Sequence, residues 1–388
     1  MQNRRQFLAA GAGLTALSQS RVLGANDRIR VGAIGTGGRM QTLLNCLRKN
    51  GGNELVAVCD VYEPRRKSTK EKFSPTADEY LEYQKILDRK DIDAVVIAAP
   101  DHWHVTMAVD AVTAGKDVYM EKPVTRTVEE GPILLKAAHD SGRIVQTGMQ
   151  QRSWQHFQTA VEMIQAGKLG KINLVRTYWF QNYTRRTPAV FDTEKLDWKR
   201  WLGARPEREF SPEVFTTWRW FWDFGGGALT DLFTHWVDVV HWAMQSDTPL
   251  TAQTLGSQYD FKTWDCPDTI QASFQYPNFM TIYDGTMDCS LEDGGLVFRG
   301  SQALMKLDRM RLTVYPEGGA FVVPKTDALV DIASKADGTI AHMQNFLDCV
   351  RSRKQPNAPV EAGIAAARAA HIGNLALRSG ERISWPMA

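Results

Sequence analysis

The alternation of β-branched runs with helical stretches that begins at Arg28 most constrains how this chain can fold. Short runs with the composition of buried strands occupy residues 29–34, 55–59 and 94–98. Segments with helical character separate them at residues 39–48 and 64–72. Strands that are joined through helices lie parallel in one sheet. The sequence therefore predicts an α/β fold that opens with a doubly wound parallel sheet.

The turn between the first strand and the first helix has the sequence Gly35-Thr36-Gly37-Gly38-Arg39-Met40. Glycines there let the backbone approach a pyrophosphate, and the N–H groups and dipole of the helix N-terminus attract its negative charge. Met40 stands where a third glycine is usual, which predicts looser packing of this helix on the strand. By itself, the motif is also explained by a tight strand-to-helix turn.

Asp60, at the end of the second strand, favours a bound dinucleotide over an unliganded sheet. A carboxylate at this point accepts hydrogen bonds from the adenosine ribose hydroxyls. Because it repels a 2′-phosphate, we predict NAD rather than NADP as the cofactor. Arg65 and Arg66 keep NADP open, although solvated charges on a helix are the simpler interpretation.

The composition changes after Gln150. Tryptophan becomes frequent between Trp179 and Trp242, and short β-like runs separated by turn signals recur over residues 251–323. This spacing predicts a largely antiparallel sheet. We expect a dinucleotide-binding domain at residues 27–150 and a substrate-binding and oligomerisation domain at residues 151–388, whose last helix is able to pack back on the first domain.

Paired arginines precede a short apolar stretch at the N-terminus. Arg4-Arg5-Gln6-Phe7-Leu8 is followed by Ala- and Gly-rich residues 9–17, and Leu23-Gly24-Ala25 offers a small-residue cleavage site. The pattern is typical of a twin-arginine export signal at residues 1–25, and it predicts a periplasmic or otherwise exported protein. A frayed basic N-terminus is the alternative. The apolar run is too short to span a bilayer.

The overall composition excludes a disordered chain or one that coats nucleic acid. Lys and Arg total 46 against 44 for Asp and Glu, and 43% of residues are hydrophobic. The five cysteines are scattered with no CxxC pair, so neither a zinc site nor a disulfide framework is indicated. We therefore expect a small-molecule partner, with no nucleic acid and no membrane span.

Two motifs carry groups suited to acid–base chemistry on an alcohol. Glu121-Lys122-Pro123 follows a strand at residues 117–120, at the sheet edge where such folds bind ligands, and the Lys122 ammonium can stabilise a developing alkoxide. Asp231 and His235 are four residues apart, so on one helical face the carboxylate can orient the imidazole and raise its basicity. Oxidation of a secondary alcohol needs such a base while a hydride leaves for a nicotinamide.

The spacing of His235, Asp238 and His241 also permits an interpretation as metal ligands. Residues six apart point away from each other on a helix, and no further ligand cluster is evident. We therefore predict no metal site and structural roles for Asp238 and His241.

Other polar groups follow strands of the first domain. His102 and His104, in Pro100-Asp101-His102-Trp103-His104, are predicted to line the cofactor site, with a metal pair or a helix cap as alternatives. Gln150, Gln151 and Arg152 are expected to touch nicotinamide or substrate. Aromatic and cationic side chains then interleave as in sugar sites, with core packing as the alternative: Tyr178, Trp179, Tyr183, Arg185, Arg186, Trp218, Arg219, Trp220 and Trp222.

Together these motifs resemble the family of glucose-fructose oxidoreductase, inositol dehydrogenase and MocA. The resemblance extends over most of the first 240 residues. It is carried by residues 35–38, Asp60, residues 99–104, residues 121–123, residues 147–152, and Gly225-Gly226-Gly227 leading to Asp231 and His235.

The resemblance implies a Rossmann domain followed by an α/β domain with an open, mostly antiparallel sheet, and a homo-oligomer, dimer or tetramer. It implies that His235 is the acid/base, Asp231 its partner, and Lys122 the group that steadies the reacting hydroxyl. The implied cofactor-binding residues are Gly35, Thr36, Gly37, Gly38, Arg39, Met40, Asp60, Ala99, Pro100, His102, His104, Glu121, Lys122 and Gln150. The implied substrate residues are Arg152, Tyr183, Trp218, Asp231 and His235.

These features predict an NAD-dependent oxidoreductase acting on a secondary alcohol of a sugar, sugar derivative or cyclitol. Export favours a tightly held cofactor and a redox-neutral cycle, because free NAD would not recycle outside the cytoplasm. One alternative is an NAD-dependent glycoside hydrolase that oxidises, eliminates, adds water and reduces again. The other is a non-catalytic protein that binds sugar and NAD.

Overall fold

A computed structural model describes residues 28–183, 190–318 and 327–386. The predicted export signal, together with Arg185 and Arg186, lies outside these ranges. None of the described helices is long and apolar enough to cross a membrane.

The first domain is built on a six-stranded parallel sheet, as predicted. Its strands run in the order β3-β2-β1-β4-β5-β6. Their bounds are β1 Ile29–Ile34, β2 Asn53–Cys59, β3 Asp78–Tyr80, β4 Ala94–Ile97, β5 Asp117–Met120 and β6 Val145–Thr147. This order is the doubly wound Rossmann arrangement, in which ligands bind at the carboxyl ends of the strands where the order reverses.

Helices cover both faces of this sheet. They are α1 Gly38–Asn50, α2 Glu63–Phe73, α3 Gln84–Leu87, α4 Asp101–Thr113 and α5 Glu130–Ser141. The first helix begins at Gly38, because Gly37 has an extended backbone and serves as the N-cap. The glycine motif therefore lies directly on a helix N-terminus.

The second domain contains a nine-stranded sheet in the order β14-β13-β12-β11-β7-β10-β9-β8-β15. All neighbouring pairs are antiparallel except β7 and β10. The bounds are β7 Ile172–Phe180, β8 Thr251–Ser257, β9 Thr269–Gln275, β10 Met280–Thr286, β11 Gly294–Gly300, β12 Ala303–Asp308, β13 Arg311–Pro316, β14 Val330–Ala333 and β15 Ile383–Ser384. The predicted open, mostly antiparallel sheet is confirmed.

The second domain also contains the helices α6 Gln155–Gln165, α7 Trp198–Leu202, α8 Pro212–Thr217 and α9 Thr234–Met244. Of these, α6 lies against β13 of the sheet and α9 lies against β7. A π-helical turn, Leu229–Phe233, leads directly into α9. The core between helices and sheet is rich in aromatic side chains, among them the fully buried Trp220, Trp236 and Phe274.

Two C-terminal helices, α10 Gly338–Ser352 and α11 Val360–Ser379, return to the first domain. Phe346 of α10 packs in the same core cluster as Tyr119 of β5, and Ala367 of α11 packs with Val118. The backbone N–H of Thr147, in β6, donates to the oxygen of Ala358 at 2.9 Å. These two helices therefore complete the core of the first domain.

Met40 is fully buried in the cluster that also contains Phe346. The side chain is therefore part of the core, and the looser packing of the first helix on the strand stays a prediction. Helix α10 lies against α1 and encloses the Met40 thioether, so the larger side chain fills space that this distant segment closes.

We predict that Gly338→Ala destabilises the protein by about 1–3 kcal/mol through overpacking. A methyl group at Gly338 would overlap the indole of Trp154, at the point where α10 docks. Alanine would otherwise favour a helix, so a loss of stability identifies the clash. The check is the thermal midpoint by circular dichroism, with Gly318→Ala as control because a methyl there meets nothing within 4 Å. Equal midpoints for the two variants would contradict the docking geometry.

Candidate active site

A cavity of about 590 Å³ opens where the carboxyl ends of the first sheet face the second domain. Its first-domain wall is formed by segments that follow β1, β2, β4 and β5. Its second-domain wall contains Trp179, Tyr183, Trp218, His235 and Arg309. Such a volume is in the range of cofactor and substrate clefts.

The glycine motif forms an open cradle at one side of the cavity. Gly35 has φ +79°, and a Cβ there would lie 2.8 Å from the backbone oxygen of Ala98. At Gly38 a Cβ would meet nothing within 4 Å, so the helix N-terminus is accessible. Open N–H groups at a helix N-terminus are suited to a pyrophosphate. A nicotinamide dinucleotide therefore fits this cavity.

Asp60 is held rigidly at the rim of the cradle. Its Oδ2 accepts hydrogen bonds from the backbone N–H of Thr36 at 2.6 Å and from the Thr36 hydroxyl at 3.0 Å. Its Oδ1 accepts from the N–H of Tyr62 at 2.9 Å. The carboxylate lines the cavity, whereas Thr36 is buried behind the glycines and does not line it. Thr36 therefore orients Asp60.

Arg65 and Arg66 are not simply solvated charges, which corrects their simpler interpretation. Arg65 lines the cavity and lies over the ring of Phe215, 4.6 Å from guanidinium carbon to ring centroid. Arg66 donates to the backbone oxygen of Asp60 at 2.7 Å. Because α2 begins at Glu63, directly after its N-cap Tyr62, both arginines lie in its first turn beside the cradle.

Glu121 anchors the floor of the cleft. Its Oε1 accepts from Arg39 Nε at 2.7 Å. Burial alone would raise the pKa of Glu121, but the Arg39 guanidinium and the Lys122 ammonium outweigh it and lower that pKa. A Cβ at Gly148 would lie 2.7 Å from Glu121 Oε2, so the glycine provides room for the carboxylate. Gln150 lines the cavity nearby.

Lys122 and Asp231 form a buried ion pair across the two domains. Lys122 Nζ donates to Asp231 Oδ1 and to its backbone oxygen, both at 2.6 Å. Arg219 Nε donates to the same Oδ1 at 2.9 Å. Burial tends to raise the pKa of Asp231, but Lys122 and Arg219 prevail and lower it to about 2. The Asp231 carboxylate is therefore an anion at neutral pH.

His235 lines the cavity but does not pair with Asp231, contrary to the prediction. The carboxylate is directed to Lys122 and Arg219, and His235 Nδ1 is buried without a partner among the described residues. Asp231 lies in the π-helical turn. Such a turn holds more residues than an α-helical turn, so side chains four apart no longer lie above one another.

The imidazole of His235 is held neutral. Burial lowers its pKa well below the usual value, and the positive charges of Lys122 and Arg309 lower that pKa further. Its ring lies 5.5 Å from the ring of Trp179, centroid to centroid. At neutral pH the group can therefore accept a proton.

Arg152, predicted to touch substrate, is occupied elsewhere, and this prediction is corrected. Its Nε donates to both carboxylate oxygens of Asp238 at 2.9 Å, and its guanidinium lies over the ring of Trp242. His241 Nε2 is 2.7 Å from the Tyr276 hydroxyl. Asp238 and His241 thus make structural contacts on the inner face of α9. No group of three potential metal-binding side chains occurs among the described residues.

His102 and His104 support the cleft from behind rather than lining it, which also corrects their prediction. His104 lies 2.6 Å from the backbone oxygen of Pro123 through Nδ1 and 2.9 Å from that of Ala99 through Nε2. His102 Nε2 lies 2.9 Å from the oxygen of Trp201. Both residues lie in the first turn of α4, and their side chains contact backbone oxygens of neighbouring segments. Ala99 and Pro100, which precede that helix, line the cavity.

The structure adds cavity residues that the motifs did not single out. They include Asp101, Arg200, Trp201 and Arg309. Asp101 Oδ1 is buried without a partner among the described residues, and burial raises the pKa of its carboxyl. Asp101 was within a recognised motif, whereas nothing in the local sequence distinguished Arg309. Of the predicted substrate residues, Tyr183, Trp218, Asp231 and His235 line the cavity.

Two family profiles match most of the chain. One, described as an oxidoreductase family with an NAD-binding Rossmann fold, matches residues 29–149. The other, described as a GFO/IDH/MocA C-terminal domain, matches residues 157–319. The chain belongs to the Gfo/Idh/MocA family of oxidoreductases. The predicted resemblance is thereby confirmed, and the first domain is the NAD-binding domain of this family.

Curated relatives match part of the chain. The inositol 2-dehydrogenase of Salmonella typhimurium (strain LT2) is 29% identical over 181 residues, which cover 45% of this chain and 53% of that protein. The match thus spans about half the length of that relative. The alpha-N-acetylgalactosaminidase of Tannerella forsythia is 36% identical over 140 residues, 34% of this chain and 30% of that protein.

Solved structures share the whole fold. A levoglucosan dehydrogenase in complex with NADH and levoglucosan has a TM-score of 0.76 at 16% identity, covering 93% of this chain and 100% of that one. The WlbA dehydrogenase from Bordetella pertussis, in complex with NADH and UDP-GlcNAcA, has a TM-score of 0.71 at 20% identity with the same coverage. At these identities the likeness shows the two-domain architecture.

We predict that Gly35→Ala weakens NADH binding by at least about tenfold. The alanine would have an unfavourable positive φ, and its methyl would press on the Ala98 backbone, so the cradle must shift. The measurement is a titration followed by NADH fluorescence. Gly51→Ala is the matched control, because Gly51 also has positive φ, +67°, but open space around it. Equal affinities in the two variants would show that the cradle does not hold the cofactor.

Proposed function

We propose that this protein is an NAD-dependent dehydrogenase of a secondary alcohol in a sugar, sugar derivative or cyclitol. The observation that carries the proposal is the convergence of Lys122, Asp231 and His235 on a cavity that also contains the glycine cradle. A proton acceptor and a cation beside a dinucleotide site are the groups that alcohol oxidation requires.

His235 acts as the acid/base. Its neutral imidazole takes the proton of the substrate hydroxyl as the alkoxide develops, and the Lys122 ammonium stabilises the charge on that oxygen. Asp231 holds Lys122 in place through the 2.6 Å ion pair. Asp231 thus orients the Lys122 ammonium, whereas His235 is positioned by packing against Trp179.

The cofactor would lie between the cradle and His235. Residues Gly35, Gly37 and Gly38 would hold its pyrophosphate, and Asp60 its adenosine ribose. When bound, the nicotinamide would accept or supply the hydride. Asp60 supports NAD, whereas Arg65 at the same rim keeps NADP a candidate.

The substrate class is supported by the aromatic wall of the cavity, where Trp179, Trp218 and Tyr183 offer ring faces to a sugar. Relatives named for inositol and levoglucosan point to the same class.

We further propose export through residues 1–25 and a captive cofactor. We also propose a homo-oligomer through the open face of the second sheet, where Leu255 of β8 is exposed.

A glycoside hydrolase that works by transient oxidation is the second candidate. The similarity to the Tannerella alpha-N-acetylgalactosaminidase over 140 residues favours it.

An assay of purified protein with excess NAD and a panel of sugars, cyclitols and glycosides separates the two functions. Reduced nicotinamide that stops near one equivalent of the enzyme indicates a dehydrogenase with the captive cofactor that we propose. Growth well beyond the enzyme concentration indicates a dehydrogenase with an exchangeable cofactor and contradicts the captive one. Release of aglycone without net reduction indicates the hydrolase, and conversion of neither kind contradicts both.

We predict that His235→Ala lowers turnover by about 10²–10⁴-fold, because the proton acceptor is lost. NADH affinity should stay unchanged, since Asp60 and the cradle are untouched. Turnover is followed at the absorbance of reduced nicotinamide and binding by its fluorescence. His139→Ala, an exposed histidine that pairs with Glu361, is the control. Normal turnover in His235→Ala would refute the assigned role.

We predict that kcat/KM shows no loss near the usual histidine pKa of about 6.5 as the pH is lowered. A lowered pKa keeps His235 unprotonated, and so able to accept a proton, until the pH falls well below that value. The measurement is a pH profile of kcat/KM in a constant-ionic-strength buffer. An acidic limb centred near 6.5 would show that the imidazole is not shielded by burial and by Lys122.

A further inference from the structure

Arg309 brings an additional cation to the reacting end of the cavity. It lies in the turn between β12 and β13, and its guanidinium carbon is 4.6 Å from the ring centroid of Trp179. That ring lies 5.5 Å from the ring of His235. Arg309 and His235 therefore share one wall of the cavity.

Arg309 has no ion-pair partner among the described residues. Within the ranges 28–183, 190–318 and 327–386, no carboxylate lies within 4.0 Å of its guanidinium, and its buried Nε has no hydrogen-bond partner. Other cations at this end of the cavity are paired: Arg39 with Glu121, and Lys122 and Arg219 with Asp231. Arg309 differs from these three cations because no carboxylate of the described residues forms an ion pair with it.

A partly buried guanidinium without a partner is costly, because its charge has lost water and gained no anion. Burial lowers the pKa of Arg309 to about 10; attraction by the Asp293 carboxylate, which lies beyond ion-pair distance, opposes this shift only in part, and the charge of Arg39 adds to it. The group is still a cation at neutral pH. A binding site that maintains such a charge is suited to an anion that arrives with the ligand.

We propose that Arg309 binds an acidic group, a carboxylate or phosphate, of the sugar substrate. The proposal rests on the proposed function, since it assigns the substrate of the same site. The planar guanidinium can donate two parallel hydrogen bonds to such a group, and Trp179 supports it from one side. The pyrophosphate cradle belongs to the first domain, whereas Arg309 comes from the second with Trp179 and His235.

The test compares acidic sugars with their neutral parents on the NAD-loaded protein. Binding of D-glucuronate and D-glucose, D-galacturonate and D-galactose, and D-glucose 6-phosphate is measured by calorimetry. Wild type should bind at least one acidic sugar about tenfold or more tighter than its parent, and Arg309→Met should remove that preference. Preference for uronates or for the phosphate ester distinguishes the two anions.

Arg311→Met is the matched control. Arg311 lies on the same hairpin, is exposed and pairs with Asp331, so its loss should leave sugar binding unchanged. Arg309→Met should keep or raise the thermal midpoint, because it removes a charge without an ion-pair partner. Equal binding of acidic and neutral sugars by wild type would overturn the proposal. So would a loss of NADH affinity in Arg309→Met with unchanged sugar binding, because Arg309 would then serve the cofactor.

Turnover is recorded on the same samples, which separates this inference from the proposed function. Selective binding of an acidic sugar that Arg309→Met abolishes, without oxidation of any sugar, supports the anion site and contradicts the dehydrogenase. Oxidation of neutral and acidic sugars at equal efficiency in both proteins supports the dehydrogenase and overturns the anion site.

Discussion

The buried ion pair between Lys122 and Asp231 joins the two domains at the point where we place the chemistry. Each charge would be costly alone in this setting, and removal of Asp231 would leave the Lys122 ammonium without its carboxylate. Arg219 adds a second cation to the same carboxylate oxygen. These contacts hold Lys122 at the carboxyl end of β5, beside the cavity. The same ion pair connects the second domain to the first next to the glycine cradle.

The cleft also depends on the helices α10 and α11. Helices α10 and α11 close the core of the first domain, although they follow the nine-stranded sheet in sequence. Helix α11 contributes to the cores of both domains, with Ala367 in the first and Ile372 in the second. The two walls of the cleft are therefore joined by packing as well as by the chain, and this connection suits a hydride transfer that demands close alignment.

Much of the site could be predicted from the sequence, because its residues follow directly after strands of the first sheet. A glycine loop after β1, Asp60 after β2 and Lys122 after β5 are each tied to one edge of a parallel sheet, so the strand pattern was enough to place them together. The predicted pairing of Asp231 with His235, which relied on helical spacing, and the predicted substrate contact of Arg152, which relied on neighbourhood in the sequence, both failed. A π-helical turn directs the Asp231 side chain away from His235. Arg152 forms an ion pair with Asp238 and does not line the cavity.

The sequence by itself determined the Rossmann topology, the cofactor cradle and the family, because local periodicity and strand-end motifs specify them. The tertiary structure alone decided how the charges are partnered. Lys122 and Asp231 are 109 residues apart, and Arg309 reaches His235 from a hairpin in another part of the second domain. Ion pairing depends on distances of a few ångströms between side chains whose directions are set by packing, and no pattern along the chain encodes those distances.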